Sequence, residues 1–309
     1  MLNNLLILIS SLFFVVKGAV WATKYAILLA QNFQLSKYVI GFIVVAVISI
    51  LPETFIAINS SLEGVPAFGL GTLFGGNVAD MTIVIAIIIG LSGREIKIES
   101  KILKNNLSYP FLFLIPITLG LDGYYSRWEG LALIITGLIF YYLAFKNNPS
   151  EAPKIKNDHQ SRKNFTLLLL SMAVLLLGSH FTVTSATALA ADWGVSRILI
   201  GMLIVGLGTT IPEMLFSLQA LKKHNDSLAI GDILGTVLAD GTVVVGILAI
   251  MSPFAFPTKI VYVTGGFMFL AAIILSFFMY SHKTISKKES LFLLFFWIVF
   301  VVTEYLISH

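Results

Sequence analysis

The sequence predicts an all-α membrane protein with ten transmembrane helices in two inverted five-helix repeats. Three observations support this prediction: the composition, the number of apolar segments, and a block of sequence that occurs twice. Apolar residues make up 57% of the 309 residues and charged residues 12%, against about 25% charged residues in soluble domains. With a mean hydropathy of +0.93 and no cysteine, the composition argues against a soluble enzyme, a disordered chain, a disulfide-stapled domain and a nucleic-acid binder.

Ten apolar segments are long enough to cross about 30 Å of hydrocarbon as helices. They are continuous and rich in Leu, Ile, Val and Phe, and they lack the alternation of a transmembrane barrel. The predicted spans are 2–31, 36–62, 67–92, 103–121, 128–145, 165–191, 197–221, 228–251, 258–281 and 288–307.

The basic residues of the loops predict the orientation. When the spans alternate, only Arg127, Arg197 and Lys259 share the side of the N-terminus, and every other loop Lys and Arg lies opposite. Because basic loops stay in the cytoplasm, we expect both termini outside. The polar segment 146–164 is then a cytoplasmic linker between the halves 1–145 and 165–309. We expect a multi-pass protein in the lipid bilayer of a cell membrane, such as a prokaryotic plasma membrane.

A block of the first half recurs in the second half at a constant offset of 160 residues and without a gap. Each half holds five spans, which is an odd number, so the second half inserts upside down. Inverted repeats of this kind are typical of secondary transporters, whose binding site lies at the midplane between the halves. The clearest recurring residues are Gly41, Pro52, Glu53, Gly71, Gly75 and Asp80, which match Gly201, Pro212, Glu213, Gly231, Gly235 and Asp240.

Four carboxylates of the repeat lie within apolar spans, away from the loops. An ionised side chain there costs ~2.5–3.5 kcal/mol on insertion scales, and the helices that carry these acids have no Lys or Arg in their interior. Protonation, a water-filled cavity or a bound cation could each relieve this cost. A divalent cation fits best, because Ca²⁺ takes about 6–8 oxygen ligands. The four are Glu53, Asp80, Glu213 and Asp240.

Neutral oxygen ligands are expected next to two of these acids. Pro52 and Pro212 lie mid-span, where a proline removes one helical hydrogen bond and frees the carbonyl four residues earlier. The freed carbonyls belong to Ile48 and Gly208. Hydroxyl groups are added by Ser49, Thr209 and Thr210.

At these residues the chain resembles the calcium/cation antiporter superfamily, and in particular its sodium/calcium exchangers. The resemblance rests on two Pro-Glu elements and two Gly-x-x-x-Gly elements that end in an acid, within 36–92 and 196–252. It implies exchange of Ca²⁺ for Na⁺ without a cofactor, by alternating access in which the first and sixth spans slide across the other helices. Because the chain builds its own two-fold site, we expect a functional monomer and not an oligomeric channel.

The resemblance also implies the roles of individual residues. Glu53 and Glu213 would be the main Ca²⁺ carboxylates, and Asp80 and Asp240 would complete the cluster. The oxygens of Ser49 and Thr209 would assist at Ca²⁺, and the flanking Na⁺ sites would use the carbonyls of Ala46 and Gly206 with hydroxyls such as Thr210 and Thr236.

Three departures from the family pattern leave the coupling ion open. Ile50 and Gly76 stand where sodium-coupled relatives carry hydroxyls, and Asp80 stands where several relatives carry asparagine. One Na⁺ site therefore lacks hydroxyl ligands, and the additional acid could carry a proton. The alternative is a proton-coupled exchanger of Ca²⁺, or an exchanger of another divalent cation such as Mn²⁺ or Mg²⁺.

An intramembrane enzyme is the rival class, and we expect none. The Gly-x-Gly-Asp signature of intramembrane aspartyl proteases and the His-Glu-x-x-His signature of metalloproteases are both absent. Asp232 has no acidic counterpart, since Thr72 stands at the equivalent position, and it is either a cavity-mouth acid or a helix-start charge. Glu304 is expected to reach the headgroups, and Asn59 and Gln219 are expected to form interhelical hydrogen bonds.

Overall fold

The computed structural model describes residues 1–32, 46–98, 109–146 and 161–308. Most of the predicted linker 146–164 and the beginnings of the predicted second and fourth spans lie outside the described residues. The repeat residue Gly41 lies outside them as well.

The first half consists of helical segments of very different lengths. Two of the described helices are long enough to span a membrane by themselves, and the others are shorter. They are α1 (Leu2–Asn32), α2 (Ala46–Ser49), α3 (Leu51–Leu62), α4 (Pro66–Ala79), α5 (Ile85–Ser92), α6 (Tyr109–Leu112), α7 (Leu114–Leu119) and α8 (Arg127–Lys146).

The second half contains α9 (Ser161–Trp193), α10 (Arg197–Ile200), α11 (Gly206–Thr209), α12 (Ile211–Lys222), α13 (Asp226–Ala239), α14 (Val245–Met251), α15 (Gly266–His282) and α16 (Lys287–Ser308). It repeats much of the order of the first half, although the single helix α15 stands where the first half has α6 and α7. Within the described residues, four π-helical turns connect or precede helices, at Asp80–Val84, Gly201–Val205, Asp240–Val244 and Ile260–Gly265.

The helix breaks of the two halves fall at equivalent positions. One helix is interrupted between Ser49 and Leu51 and another between Thr209 and Ile211, two residues before each mid-span proline. The π-helical turns Asp80–Val84 and Asp240–Val244 also keep the offset of the repeat. Because a proline cannot donate the next helical hydrogen bond, the sequence repeat produces a repeat of backbone geometry.

Two short antiparallel strand pairs join the halves. β1 (Ile96–Lys97) pairs with β4 (Thr284–Ile285), and β2 (Tyr124–Tyr125) pairs with β3 (Phe254–Ala255). Each pair joins a loop of the first half to a loop of the second half. The loops that meet are loops that the charge pattern assigns to the same side of the membrane.

The last helix of each half begins with the same capping arrangement. The backbone amide of Ser126 donates to Oε2 of Glu129 at 2.7 Å, and that of Ser286 donates to Oε2 of Glu289 at 2.7 Å. The Glu amides donate back to the serine hydroxyls at 3.2 and 3.3 Å. These reciprocal bonds satisfy backbone groups that the first helical turn leaves free.

Seven helices of the described residues are long and apolar enough to cross a membrane, which makes the chain a multi-pass membrane protein. The predicted second and fourth spans extend beyond the described residues, and the fifth corresponds to α8. The most deeply buried spans are Pro66–Ser92, which contains Asp80, and Leu228–Met251, which contains Asp240. The structure therefore places the repeat acids at the centre of the bundle.

The expectation for Glu304 is wrong. Its side chain is buried, and the Thr264 hydroxyl donates to its Oε1 at 2.5 Å. The headgroup prediction used only the distance of Glu304 from the end of its helix. The face of α16 that carries Glu304 instead packs inward, against the π-helical turn that contains Thr264.

Candidate cation-binding site

All four repeat carboxylates are buried in the interior. Glu53 is 3% exposed, Asp80 1%, Glu213 1% and Asp240 2%. Glu53 and Glu213 lie in the first turns of α3 and α12, directly after the helix breaks, and Asp80 and Asp240 begin the π-helical turns that follow α4 and α13. Both irregular backbone elements thus occur where the acids are, as is common at functional sites.

The carboxylates lie within electrostatic range of one another. Asp80 interacts with the charge of Glu53, Glu213 interacts with those of Glu53 and Asp80, and Asp240 interacts with those of Glu53 and Asp80. The cluster therefore combines acids from both repeats. No ion pair among the described residues includes any of the four, and Lys17 is exposed with its Nζ 5.5 Å from the ring centre of Phe13.

Several oxygens of the cluster have no hydrogen-bond partner. They are Oε2 of Glu53, Oδ1 of Asp80, both carboxylate oxygens of Glu213 and Oδ1 of Asp240. Oγ1 of Thr236 also has none, and it is fully buried. Buried polar atoms are nearly always hydrogen-bonded in folded proteins, so a group of unpartnered acceptors identifies a place where a cation would be stabilised.

The predicted hydroxyl ligands are all buried, but they differ in their partners. Thr209 donates to the carbonyl of Gly206 at 3.0 Å and also contacts the Glu53 carboxylate. Thr210 donates to the carbonyl of Leu207 at 3.0 Å. Ser49 donates to Oδ1 of Asp232, on the other repeat, at 3.0 Å. Thr210 and Ser49 thus donate their hydroxyl hydrogens away from the four repeat acids, so their oxygen lone pairs remain for a cation.

The two predicted carbonyl ligands lie at the starts of short helices that precede the breaks. Ala46 begins α2, and Gly206 begins α11. The Gly206 carbonyl accepts the Thr210 amide at 3.3 Å as well as the Thr209 hydroxyl. Within the described ranges, no three acidic or histidine side chains stand close enough to hold one ion between them. An ion in this cluster would therefore need neutral oxygens as well as carboxylates.

Two repeat glycines of the first half, Gly71 and Gly75, and Gly206 of the second half bring the two halves into close contact. A Cβ atom on Gly75 would lie 2.5 Å from the carbonyl oxygen of Met202, and one on Gly71 would lie 2.8 Å from a methyl group of Ile198. A Cβ on Gly206 would lie 2.9 Å from the amide nitrogen of Gly76. These glycines serve close packing, and that packing sets α4 against the broken helix that carries Thr209 and Glu213.

Asn77 is a polar residue of the site that the sequence reasoning missed. It is fully buried, its Nδ2 donates to the carbonyl of Val237 at 3.1 Å, and its Oδ1 has no partner. Val237 is its counterpart in the repeat. An amide within an apolar span, three residues before a repeat acid, was the signal that could have found it.

Two other polar residues of the apolar spans, Asp232 and Asn59, are also buried. Asp232 is 4% exposed and lies within α13, well beyond the start of that helix at Asp226, so it is not a helix-start charge. Asn59 forms the predicted interhelical hydrogen bonds, to Oγ of Ser179 and, at 3.4 Å, to the carbonyl of Leu176. Its counterpart Gln219 is exposed.

Comparison with known proteins decides the family. The sequence model of the family described as "Sodium/calcium exchanger protein" matches residues 3–146 and 163–306, once in each half. The chain belongs to the sodium/calcium exchanger family. Its family membership agrees with the resemblance carried by the Pro-Glu elements and identifies the chain as a membrane cation antiporter.

Two curated relatives and a solved structure support this family assignment. The sodium/calcium exchanger MaX1 of Methanosarcina acetivorans is 24% identical over 352 residues, which cover 98% of this chain and 99% of the relative. The putative antiporter CaxA of Alkalimonas amylolytica is 28% identical over 240 residues, covering 73% of each chain. A structure of the sodium-calcium exchanger NCX_Mj superposes with a TM-score of 0.69 at 22% identity, covering 97% of this chain and 98% of the other. This structural similarity shows that the chain has the same fold as NCX_Mj.

Proposed function

We propose that this exchanger moves Ca²⁺ against Na⁺ across the membrane by alternating access at the buried carboxylate cluster. The observation that carries the proposal is the set of unpartnered carboxylate oxygens from both repeats, buried together without a basic partner. A bound cation would supply the positive charge that balances these buried carboxylates. The identity of the site is supported further by the coincidence of its acids with the repeat and with the helix breaks.

In this proposal Ca²⁺ binds between Glu53 and Glu213, because these acids follow the two helix breaks and have three unpartnered oxygens between them. Asp80 and Asp240 add charge from the neighbouring helices. Neutral ligands for Ca²⁺ and for Na⁺ come from hydroxyls and from carbonyls that precede the breaks. These neutral ligands are Ser49, Thr209, Thr210, Thr236, and the carbonyls of Ala46 and Gly206.

Exchange follows from the use of one set of acids for both ions. When neither ion is bound, several negative charges remain within electrostatic range of each other inside the bilayer. Moving such a charged, unpaired site across the membrane interior is unfavourable. The protein would therefore change its orientation only after a new ion has bound, which couples the two fluxes.

We further propose ten spans in two inverted halves, 1–145 and 165–309, with the linker 146–164 in the cytoplasm and both termini outside. Two strand pairs and two ion pairs, each between regions assigned to the same side of the membrane, support this arrangement. The strand pairs join loops assigned to the same side. The N-terminal amine lies 3.0 Å from the Asp192 carboxylate, and Arg94 binds Asp226 with both of its terminal nitrogens.

Alternating access would involve α1 and α9, the two longest helices, moving relative to the core. The first half holds α9 through Asn59, which bonds Ser179, and through Glu63, whose carboxylate lies 3.1 Å from Nδ1 of His180. At the equivalent place in the second half Gln219 is exposed. This difference between equivalent positions supports a state in which the outer path to the site is closed by α9.

Transport in proteoliposomes tests the proposal. Vesicles loaded with Na⁺ and diluted into Na⁺-free medium that contains radioactive Ca²⁺ should accumulate Ca²⁺, and dissipating the Na⁺ gradient should abolish uptake. Uptake that ignores Na⁺ and follows an imposed pH gradient would contradict Na⁺ coupling and support the proton-coupled alternative. Absence of Ca²⁺ uptake, with uptake of Mn²⁺ or Mg²⁺, would contradict the assignment of Ca²⁺ as the cargo.

A further inference from the structure

Asp232 breaks the symmetry of the repeat at the edge of the carboxylate cluster. Its counterpart is Thr72, whose hydroxyl donates to the Phe68 carbonyl of its own helix at 3.0 Å. Asp232 instead accepts a hydrogen bond from the Ser49 hydroxyl at 3.0 Å. The Ser217 hydroxyl, which donates to the Ala229 carbonyl at 3.0 Å, also lies 3.3 Å from the other Asp232 oxygen. Its charge also lies within range of Asp80 and Glu213. An acid therefore stands beside the cluster in one repeat and has no equivalent in the other.

The bond from Ser49 determines what that hydroxyl can do. A serine hydroxyl has one proton and two lone pairs. Since the proton is given to Asp232, the lone pairs are the part of the group left for the cluster, and an oxygen that presents only lone pairs is suited to a cation. The repeat-related Thr209 donates to the Gly206 carbonyl of its own repeat at 3.0 Å and contacts the carboxylate of Glu53, which is itself a member of the cluster.

The same half of the site lacks a second hydroxyl. Ile50 stands where the other repeat has Thr210, so Ser49 is the hydroxyl that the first repeat offers beside its helix break. The residue that holds Ser49 in place comes from the opposite repeat, 183 residues further along the chain. One carboxylate thus orients the remaining hydroxyl and adds negative charge to a half-site that is short of oxygen ligands.

We propose that Asp232 is a positioning residue that orients Ser49 as a cation ligand and favours divalent over monovalent cations. This inference rests on the proposed function. Groups that hydrogen-bond metal ligands from behind fix the orientation of those ligands and raise their affinity. A fixed negative charge also attracts a divalent cation twice as strongly as a monovalent one at the same distance. Asp232 acts through Ser49 and through its charge, without touching the ion.

A double-mutant cycle of Ca²⁺ uptake tests this inference. We expect Asp232→Asn to raise the KM for Ca²⁺ about 10-fold, as loss of such a supporting group does at metal sites, with the maximal rate changed by less than about two-fold. Na⁺ should inhibit uptake relatively more strongly in this variant. Ser49→Ala should raise KM as well, and the double variant should be no worse than about the larger single effect, because both changes remove one interaction.

Two further variants keep the test decisive. Thr72→Val is the matched control at the equivalent repeat position, and we expect its KM to stay within about two-fold of the wild type, because its hydroxyl bonds only its own helix. Asp232→Glu keeps the charge but displaces the carboxylate, so it should also raise KM; it carries the test if Asp232→Asn does not fold.

The outcomes distinguish the positioning role of Asp232 from the proposed transport of Ca²⁺. An unchanged KM in the Asp232 variants, or additive effects of Asp232→Asn and Ser49→Ala, would overturn the positioning role while wild-type transport stands. A wild-type protein that moves no Ca²⁺ would overturn the proposed function instead.

Discussion

Glu213→Gln should separate the stability of the empty protein from its ability to bind cations. Glu213 is 1% exposed and both of its carboxylate oxygens lack a partner, within range of the charges of Glu53, Asp80 and Asp232. Glutamine has nearly the same shape and removes one of these like charges. The empty variant should therefore be at least as stable as the wild type, since the repulsion and the burial of one charge are relieved.

Binding should change in the opposite direction. Removing one partner of a buried charge pair costs about 3–5 kcal/mol, which corresponds to a loss of roughly 10²- to 10⁴-fold in affinity at about 1.4 kcal/mol per tenfold. Ca²⁺ uptake into proteoliposomes should be abolished, and Ca²⁺ should no longer raise the Tm of the purified protein. Glu95→Gln is the matched control, because Glu95 is an exposed acid, and it should leave both readouts unchanged.

Two results would refute this reasoning. If the Glu213→Gln variant transports Ca²⁺ with a near wild-type KM, Glu213 does not bind the ion. A variant whose Tm in the absence of ions falls by several degrees would show that the Glu213 carboxylate stabilises the empty fold, so its oxygens would not be unpartnered there.

Three other predictions concern parts of the structure outside the carboxylate cluster. Asn59→Val should lower the free energy of unfolding by about 1–3 kcal/mol, because it removes buried hydrogen bonds between α3 and α9. Gln219→Val, at the equivalent exposed position, should leave the free energy of unfolding unchanged in the same denaturation assay. Equal effects of the two substitutions would argue against the closed outer path. Burial raises the pKa of Asp226, but hydrogen bonds from Arg94 and from a backbone amide outweigh it and hold the pKa below the ordinary 3.8. The stabilisation by the Arg94–Asp226 pair should therefore be complete above about pH 4 and lost as the pH falls through the lowered pKa. The Tm of the wild type should then exceed that of Arg94→Met above about pH 4, and the difference should vanish at lower pH. A Tm difference that persists at lower pH would contradict this role of the pair. Glu304→Gln should leave the KM for Ca²⁺ unchanged in the uptake assay, because Glu304 bonds Thr264 and not the cluster, and a large rise in KM would place it in the ion path.

The repeat made the helix breaks and the acids beside them predictable from the sequence. Two copies of Pro-Glu at a constant offset fix both the position of the acids and the position of the helix breaks, because proline acts on the backbone directly. The structure has its breaks at Ile50 and Thr210, two residues before each proline. The chemistry of proline and the symmetry of the repeat were together sufficient to predict where the helices break.

The π-helical turns and the cross-half contacts were not predictable in the same way. A π-helical turn depends on the hydrogen-bond register of the backbone, which apolar periodicity does not encode, although Thr82 and Thr242 bond carbonyls at the turns Asp80–Val84 and Asp240–Val244. The bond between Ser49 and Asp232 depends on how the halves pack. The burial of Glu304 depends on which face of α16 meets the core, and a position near a helix end does not determine that face.

An anomalous difference map tests the central claim most directly. Crystals of the protein soaked in Sr²⁺ should show a peak between the carboxylates of Glu53 and Glu213, and the peak should disappear in Glu213→Gln. A map without a peak, at ion concentrations that saturate transport, would contradict the claim that cations neutralise these buried acids. A peak elsewhere in the protein, with the carboxylates turned towards lipid or bonded to a lysine or an arginine, would contradict it as well.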